Sequence, residues 1–245
     1  MQDLKHWSVS IDDANLCWLT LDVSDKSVNV LTHAVVAELG QIIDWVEGQS
    51  IIAGVGMLSG KPGGFVYGAD IAEFELLATA DDVMQHMQMV HALFNRIDSL
   101  DVPTIVGIDG IAVGGGLEIA LTFDRIITTA SPKTKLGFPE VNLGILPGYG
   151  GSGRAYRRIG TAAVTQMMMS GRPLTASAAQ AAGLIDQTVD DAQLSPLKLL
   201  RATTAIEPQE QLIWQEHSVE PPSCAAILAA LDCLGHAIVE PPNPG

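Results

Sequence analysis

Gly110-Ile-Ala-Val-Gly-Gly-Gly-Leu-Glu-Ile-Ala120 closes a strand pattern and opens a helix. Just before it, Pro103 opens an apolar strand that runs through Ile108. The glycines Gly114, Gly115 and Gly116 then lead into a short helix predicted over Leu117 to Leu121. The first N–H groups of a helix have no acceptor inside it and sit at the positive end of its dipole. Such a start suits an oxyanion or a phosphate. Glu118 falls in the first turn. Taken alone, it reads better as a carboxylate complementing the helix dipole than as a reacting group.

Outward from this segment, strand and helix patterns alternate. Residues 7–11 and 16–22 predict two strands joined by a turn. Thr32 is placed to cap a helix over about 33–48, with Val35, Val36, Leu39, Ile42, Ile43 and Val46 on one face. Ile51 to Leu58 predicts a buried strand. A second helix over about 81–99 would turn Val83, Met87, Val90, Leu93, Phe94 and Ile97 inward. Asp124 to Thr129 predicts a strand, 131–137 a turn and short strand, and Thr161 to Met169 and Ala176 to Ala182 helices. Repeated strand–strand–helix units of this kind imply an α/β domain. After about Gln193 the pattern weakens, Ala225 to Ile238 being one candidate helix. The chain divides on this reading into a core, 1–190, and a helical, linker-like segment, 191–245, truncated from a longer protein.

Composition narrows the function classes. The formal charge is −15, which argues against a broad nucleic-acid surface, since phosphate neutralisation needs clustered Lys and Arg. No run approaches the roughly 20 apolar residues of a membrane span. The first residues, with Asp3 and Lys5, do not form a secretory signal. Cys17, Cys224 and Cys233 have neither metal nor disulfide spacing and suit a reducing, cytoplasmic compartment.

Two further segments accompany the triple glycine. Ser59-Gly-Lys-Pro-Gly-Gly-Phe-Val-Tyr-Gly-Ala-Asp70 follows a buried strand and lets backbone N–H groups approach a ligand. By itself an ordinary strand-to-helix turn is the better reading. Leu136-Gly-Phe-Pro-Glu-Val-Asn-Leu-Gly-Ile-Leu-Pro-Gly-Tyr-Gly-Gly-Ser-Gly-Arg154 places Glu140 between Pro139 and an apolar run. A carboxyl in that setting is desolvated and its pKa rises, although a capping or surface glutamate is also compatible. Gly148 to Gly153 satisfies G-x-G-x-x-G, but no clear strand precedes it and no acidic residue lies in 168–178, so it reads as a flexible loop lining a pocket. Arg154, Arg157 and Arg158 read as a solvated basic face or subunit contact, and nothing near His86 or His91 suggests a metal.

In this order the three segments resemble the crotonase (enoyl-CoA hydratase/isomerase) superfamily. The likeness spans about residues 8–190 and includes Met169-Ser-Gly-Arg-Pro-Leu-Thr-Ala through Ala181-Ala-Gly-Leu-Ile-Asp186. Ser-Gly-Lys-Pro-Gly at 59–63, Gly-Gly-Gly-Leu-Glu at 114–118 and Lys-Thr-Lys-Leu-Gly at 133–137 are most similar to the N-terminal hydratase region of multifunctional fatty-acid-oxidation α-subunits. There a dehydrogenase region follows, which agrees with the Pro-Pro-Asn-Pro-Gly end. The resemblance implies a crotonase-like spiral and hydration of 2-trans-enoyl-CoA in fatty-acid β-oxidation. Glu118 and Glu140 would be the catalytic carboxylates, and the backbone N–H groups of Tyr67 and Gly115 the oxyanion hole. It implies acyl-CoA contacts from Lys26, Lys61, Val66, Gly68, Ala69, Asp70, Gly114, Pro147 and Gly148. No metal and no cofactor apart from the CoA of the substrate is expected. The expected partners are further copies, forming a trimer, or a multifunctional β-oxidation complex. Two rivals are a 3,2-enoyl-CoA isomerase using mainly Glu140, and a non-catalytic acyl-CoA-binding domain. No counterpart of the family's closing aromatic segment follows residue 195 or so.

Overall fold

The structure is a computed structural model that describes residues 4–190, apart from 63 and 75–78. The expectations for 191–245, including the helix over 225–238, lie outside the described residues, as do Cys224 and Cys233.

A hairpin, β1 (Trp7–Ile11) and β2 (Leu16–Leu21), precedes helix α1 (His33–Glu47). Then come β3 (Gly54–Ser59), β4 (Gly64–Val66), the short α2 (Ile71–Phe74) and the long α3 (Ala80–Asp98). The next unit is β5 (Thr104–Ile108), β6 (Ile111–Val113) and α4 (Gly115–Ala120). After it come β7 (Arg125–Thr129), β8 (Lys135–Gly137), a 3₁₀ turn (Glu140–Leu143) and α5 (Gly151–Ser170). The described part ends with β9 (Leu174–Thr175), α6 (Ala176–Ala181) and β10 (Gln187–Val189).

The strand–strand–helix repeat sorts its strands between two sheets. The units that begin at β3, β5 and β7 put their first strand in a sheet of order β1-β2-β3-β5-β7-β10 and their second in a sheet of order β4-β6-β8-β9, whereas both strands of the opening hairpin lie in the first sheet. Pairing is parallel except for β1 with β2 and β8 with β9. Parallel strands buried on both faces read as continuous apolar runs, and every residue of β5 is buried. In those three units the passage from the second strand to the helix carries one of the three glycine-rich segments.

Helix α1 forms as its periodicity predicts. The Thr32 side chain accepts from the Val35 N–H, and all six residues of the predicted apolar face are buried. At about 1.5–3 kcal/mol per enclosed side chain, that face outweighs the roughly 1 kcal/mol of the cap. Helix α3 departs in one place. Val83 is exposed, and His86 instead joins Val90, Leu93, Phe94 and Ile97 inside. The strand predicted from Ile51 starts only at Gly54, and Ile51 is exposed. Among the described residues no helix is long and apolar enough to cross a membrane.

Candidate active site

Two close approaches bring the glycine segments together. A Cβ on Gly116 would stand 2.1 Å from the Val66 carbonyl oxygen, so α4 lies directly on the backbone of β4. A Cβ on Gly68, whose φ of +106° already favours glycine, would meet the Gly115 nitrogen at 3.8 Å. The 66–70 segment and the start of α4 are thus neighbours.

Glu118 is enclosed by this packing. Its Oε1 accepts two backbone N–H bonds, from Tyr149 and from Gly151, both 2.8 Å. Burial drives its carboxyl up to about 7; the Gly151 and Tyr149 amides and the Arg154 guanidinium pull it back, while the charge of Glu140 adds to the rise. Its place in the first turn of α4 agrees with dipole complementarity, but a surface carboxylate serving that end alone would keep its water. Glu118 is 1% exposed.

Glu140 opens the 3₁₀ turn and is also buried. A Cβ on Gly114, the residue before α4, would come within 2.9 Å of Glu140 Oε1, which places this carboxylate over the same helix start. Among the described residues its Oε2, which is buried, has no hydrogen-bond partner. Burial raises its pKa as well, opposed by its own backbone N–H. Unpaired buried carboxylate oxygens are costly and rare. Here the cost falls beside a second carboxylate whose pKa is also raised, the pairing found at acid–base centres.

The loop that follows Glu140, over Gly148–Gly153, has a different form from the one expected. Gly150 is left-handed (φ +87°) and caps α5, so Gly151 to Gly153 form the first helical turn and not a flexible loop. The amides of Tyr149 and Gly151 are spent on Glu118. Arg154 corrects the solvated-face reading. Its guanidinium is buried, donating to Asp98 (3.0 Å), Asn95 (2.7 Å) and the Tyr149 carbonyl (3.2 Å). Arg158 pairs with Asp186, and Arg157 stays half-exposed near Asp98.

Tyr67 is the clearest correction. Its backbone N–H donates to the Asn29 carbonyl at 2.9 Å and is not available to a ligand. Two residues on, the chain makes a parallel bridge between Ala69 and Leu31. In it the Leu31 N–H donates to the Gly68 carbonyl (2.8 Å) and the Asp70 N–H to the Leu31 carbonyl (3.0 Å). Extended backbone alternates the direction of its polar groups, so the Ala69 N–H points away from Leu31. Asn29 anchors the whole arrangement: its side chain accepts from Val23 and donates to Leu21, Ser59 and Phe65. Asn29 did not stand out in the sequence, and Ala69 did so only as an acyl-CoA contact implied by the resemblance, because their hydrogen bonding depends on which distant strand lies alongside.

The remaining predicted contacts are mixed. Val66 is fully enclosed in the core, so its side chain offers nothing to a ligand. Lys26 pairs with Asp70 at 2.7 Å, a contact that holds the Asp70 carboxyl below its usual range. Lys61 pairs with Asp22. Pro147 and Gly148 are half-buried, and the Gly148 carbonyl accepts from His91 at 2.7 Å. Among the described residues no group of three or more His, Cys, Asp and Glu side chains could hold a metal.

Fold and site together define an α/β protein with paired buried carboxylates at a glycine-rich helix start. The chain belongs to the enoyl-CoA hydratase/isomerase family, whose profile matches residues 12–216. It is 35% identical over 190 residues to the fatty acid oxidation complex subunit alpha of Shewanella halifaxensis, covering 78% of this chain and 27% of that protein. The same-named protein of Aliivibrio fischeri is 32% identical over 259 residues, covering 97% of this chain and 38% of that protein. The chain thus spans well under half of these curated relatives. The enoyl-CoA hydratase structure from Bacillus anthracis superposes with a TM-score of 0.74 at 27% identity, covering 81% of this chain and 75% of that one. At 20% identity, Pseudomonas aeruginosa DspI shares the fold with a TM-score of 0.79 over 98% of both chains.

Proposed function

We propose that this chain adds water across the double bond of 2-trans-enoyl-CoA, as a hydratase of fatty-acid β-oxidation. One observation carries the reading: Glu140 Oε2 is buried, without a partner among the described residues, beside Glu118, whose carboxyl is held up to about 7. Hydration needs one carboxylate to take a proton as the water oxygen bonds to Cβ, and one carboxyl to deliver a proton to Cα. Two coupled carboxyls sharing a proton near neutral pH supply both, and their titration belongs to the pair.

The thioester oxygen gains charge during this step. The Gly115 N–H, in the first turn of α4, and the Ala69 N–H, turned away from the Leu31 bridge, are the proposed donors to it. Each is worth about 2.7–4 kcal/mol to the transition state by analogy with other oxyanion holes. Lys26 and Lys61 would meet CoA phosphates by exchanging Asp70 and Asp22 for them, with the 68–70 backbone beside the adenine. We place the protein in the cytoplasm, as a trimer or within a multifunctional β-oxidation complex.

The test is loss of crotonyl-CoA absorbance on this chain and on the full-length gene product. Turnover of the 2-enoyl thioester, exceeding that of a 3-enoyl thioester, is expected. Binding of acyl-CoA without turnover would leave only the binding-domain reading.

A further inference from the structure

A chain of polar side chains leads inward from the surface to the Glu118 loop, and the chemistry above does not use it. Glu73 on α2 lies 3.5 Å from His33 Nδ1. His33 Nε2 meets His86 Nδ1 at 3.2 Å, and His86 Nε2 meets the Tyr149 hydroxyl at 2.8 Å. His33 is half-exposed, whereas His86 and Tyr149 are buried.

One proton order satisfies every contact of this chain. In it His33 turns its Nδ1–H toward the Glu73 carboxylate. His33 Nε2 then accepts, and His86 Nδ1–H is the donor between the rings. His86 Nε2 is left to accept, and the Tyr149 hydroxyl donates to it. Burial and the neighbouring His33 keep the His86 pKa below its usual value, with Glu73 opposing, which favours this neutral order.

Tyr149 connects that chain to the site by three contacts. Its backbone N–H donates to Glu118 Oε1 at 2.8 Å. Its ring lies where a Cβ on Gly115 would be 3.2 Å away, and packs edge-on against Phe94. Its carbonyl accepts from Arg154. The backbone that grips Glu118 is therefore fastened on its far side by a phenol–imidazole bond to α3.

We propose that His86 and Tyr149 are positioning residues, holding the 149–151 backbone so that its amides fix Glu118 opposite Glu140. The inference rests on the hydratase reading for its kinetic consequence, but not for its geometric one.

The experiment compares Tyr149→Phe, His86→Leu and His86→Gln in the intact chain. Glutamine can accept from the tyrosine and still donate toward His33. Carboxyl-carbon NMR of glutamate-labelled protein follows the Glu118 titration, assigned by its absence in Glu118→Gln. Crotonyl-CoA kinetics run in parallel. Tyr149→Phe and His86→Leu are expected to move the Glu118 midpoint upward, because the N–H bonds that lower it loosen. They should reduce kcat about tenfold to a hundredfold with KM within about twofold, and His86→Gln should restore both. An unchanged or lowered Glu118 midpoint in Tyr149→Phe overturns the proposal, whatever happens to melting temperature. That variant keeps the ring and decides the matter if His86→Leu does not fold. A wild type with no turnover whose Glu118 midpoint still moves on substitution sinks the hydratase reading and leaves the positioning role standing.

Discussion

Glu118 and Glu140 are both buried, yet they are held in opposite ways. Glu118 has one oxygen fastened by two amides, on a helix packed against backbone. Glu140 sits on a single 3₁₀ turn, and one of its oxygens has no partner among the described residues. The segment after it leaves Leu143, Ile145 and Leu146 substantially exposed. One carboxylate is thus fixed by the protein, and among the described residues the other has an oxygen without a partner. In the proposed chemistry one member would orient a small nucleophile and the other would exchange protons.

Removing either charge gives the largest expected effect. Glu118→Gln and Glu140→Gln should each lower hydratase turnover by about 10²–10⁴-fold, with acyl-CoA affinity by calorimetry little changed. Near-normal turnover in both variants would rule out the assignment. A smaller effect tests the holding alone. A Cβ on Gly151 would stand 2.3 Å from Glu118 Cγ, so Gly151→Ala displaces the fixed member without altering its chemistry. About a tenfold to hundredfold loss in kcat is expected, with Glu140's surroundings intact. Gly114→Ala makes the reciprocal intrusion, 2.9 Å from Glu140 Oε1.

The pH dependence of stability sharpens the comparison further. Folding raises the Glu118 carboxyl from 4.5 to about 7. Between those values the folded chain binds more protons than the unfolded chain, so this group's contribution to stability falls as pH rises through that window. Glu118→Gln lacks the titration and keeps an acceptor for the two amides. Its stability relative to wild type, from urea unfolding, should therefore improve from about pH 4.5 to 7, by up to a few kcal/mol. A difference that stays flat with pH would mean that Glu118 is not desolvated. The smallest effect is a control in the same helical turn. A methyl group added at Gly153 would meet nothing within 4 Å, so Gly153→Ala should stabilise by about 0.5–1 kcal/mol and leave kcat unchanged.

Local patterns carried far in this chain. The α1 face was readable residue by residue, since a 3.6-residue period and a threonine cap are properties of contiguous sequence. Glycine spacing marked the three segments that meet at the site, because close backbone approach excludes a Cβ wherever it occurs. Those signals fixed the α/β class, while both glutamates were singled out only by the resemblance that the three segments carry together.

Other features depended on partners far along the chain. Whether Tyr67 or Ala69 offers a free N–H turns on where Leu31 and Asn29 pair, and a one-residue change of bridge reverses the direction of every amide. His86 and Tyr149 stand 63 residues apart, and Arg154 and Asp98 56, so no local period records either bond. Sequence by itself named most of the elements and, through the family resemblance, the candidate side chains; tertiary packing alone chose which amides are spent and which carboxylate oxygen lacks a partner among the described residues, because hydrogen-bond direction is a property of neighbours in space.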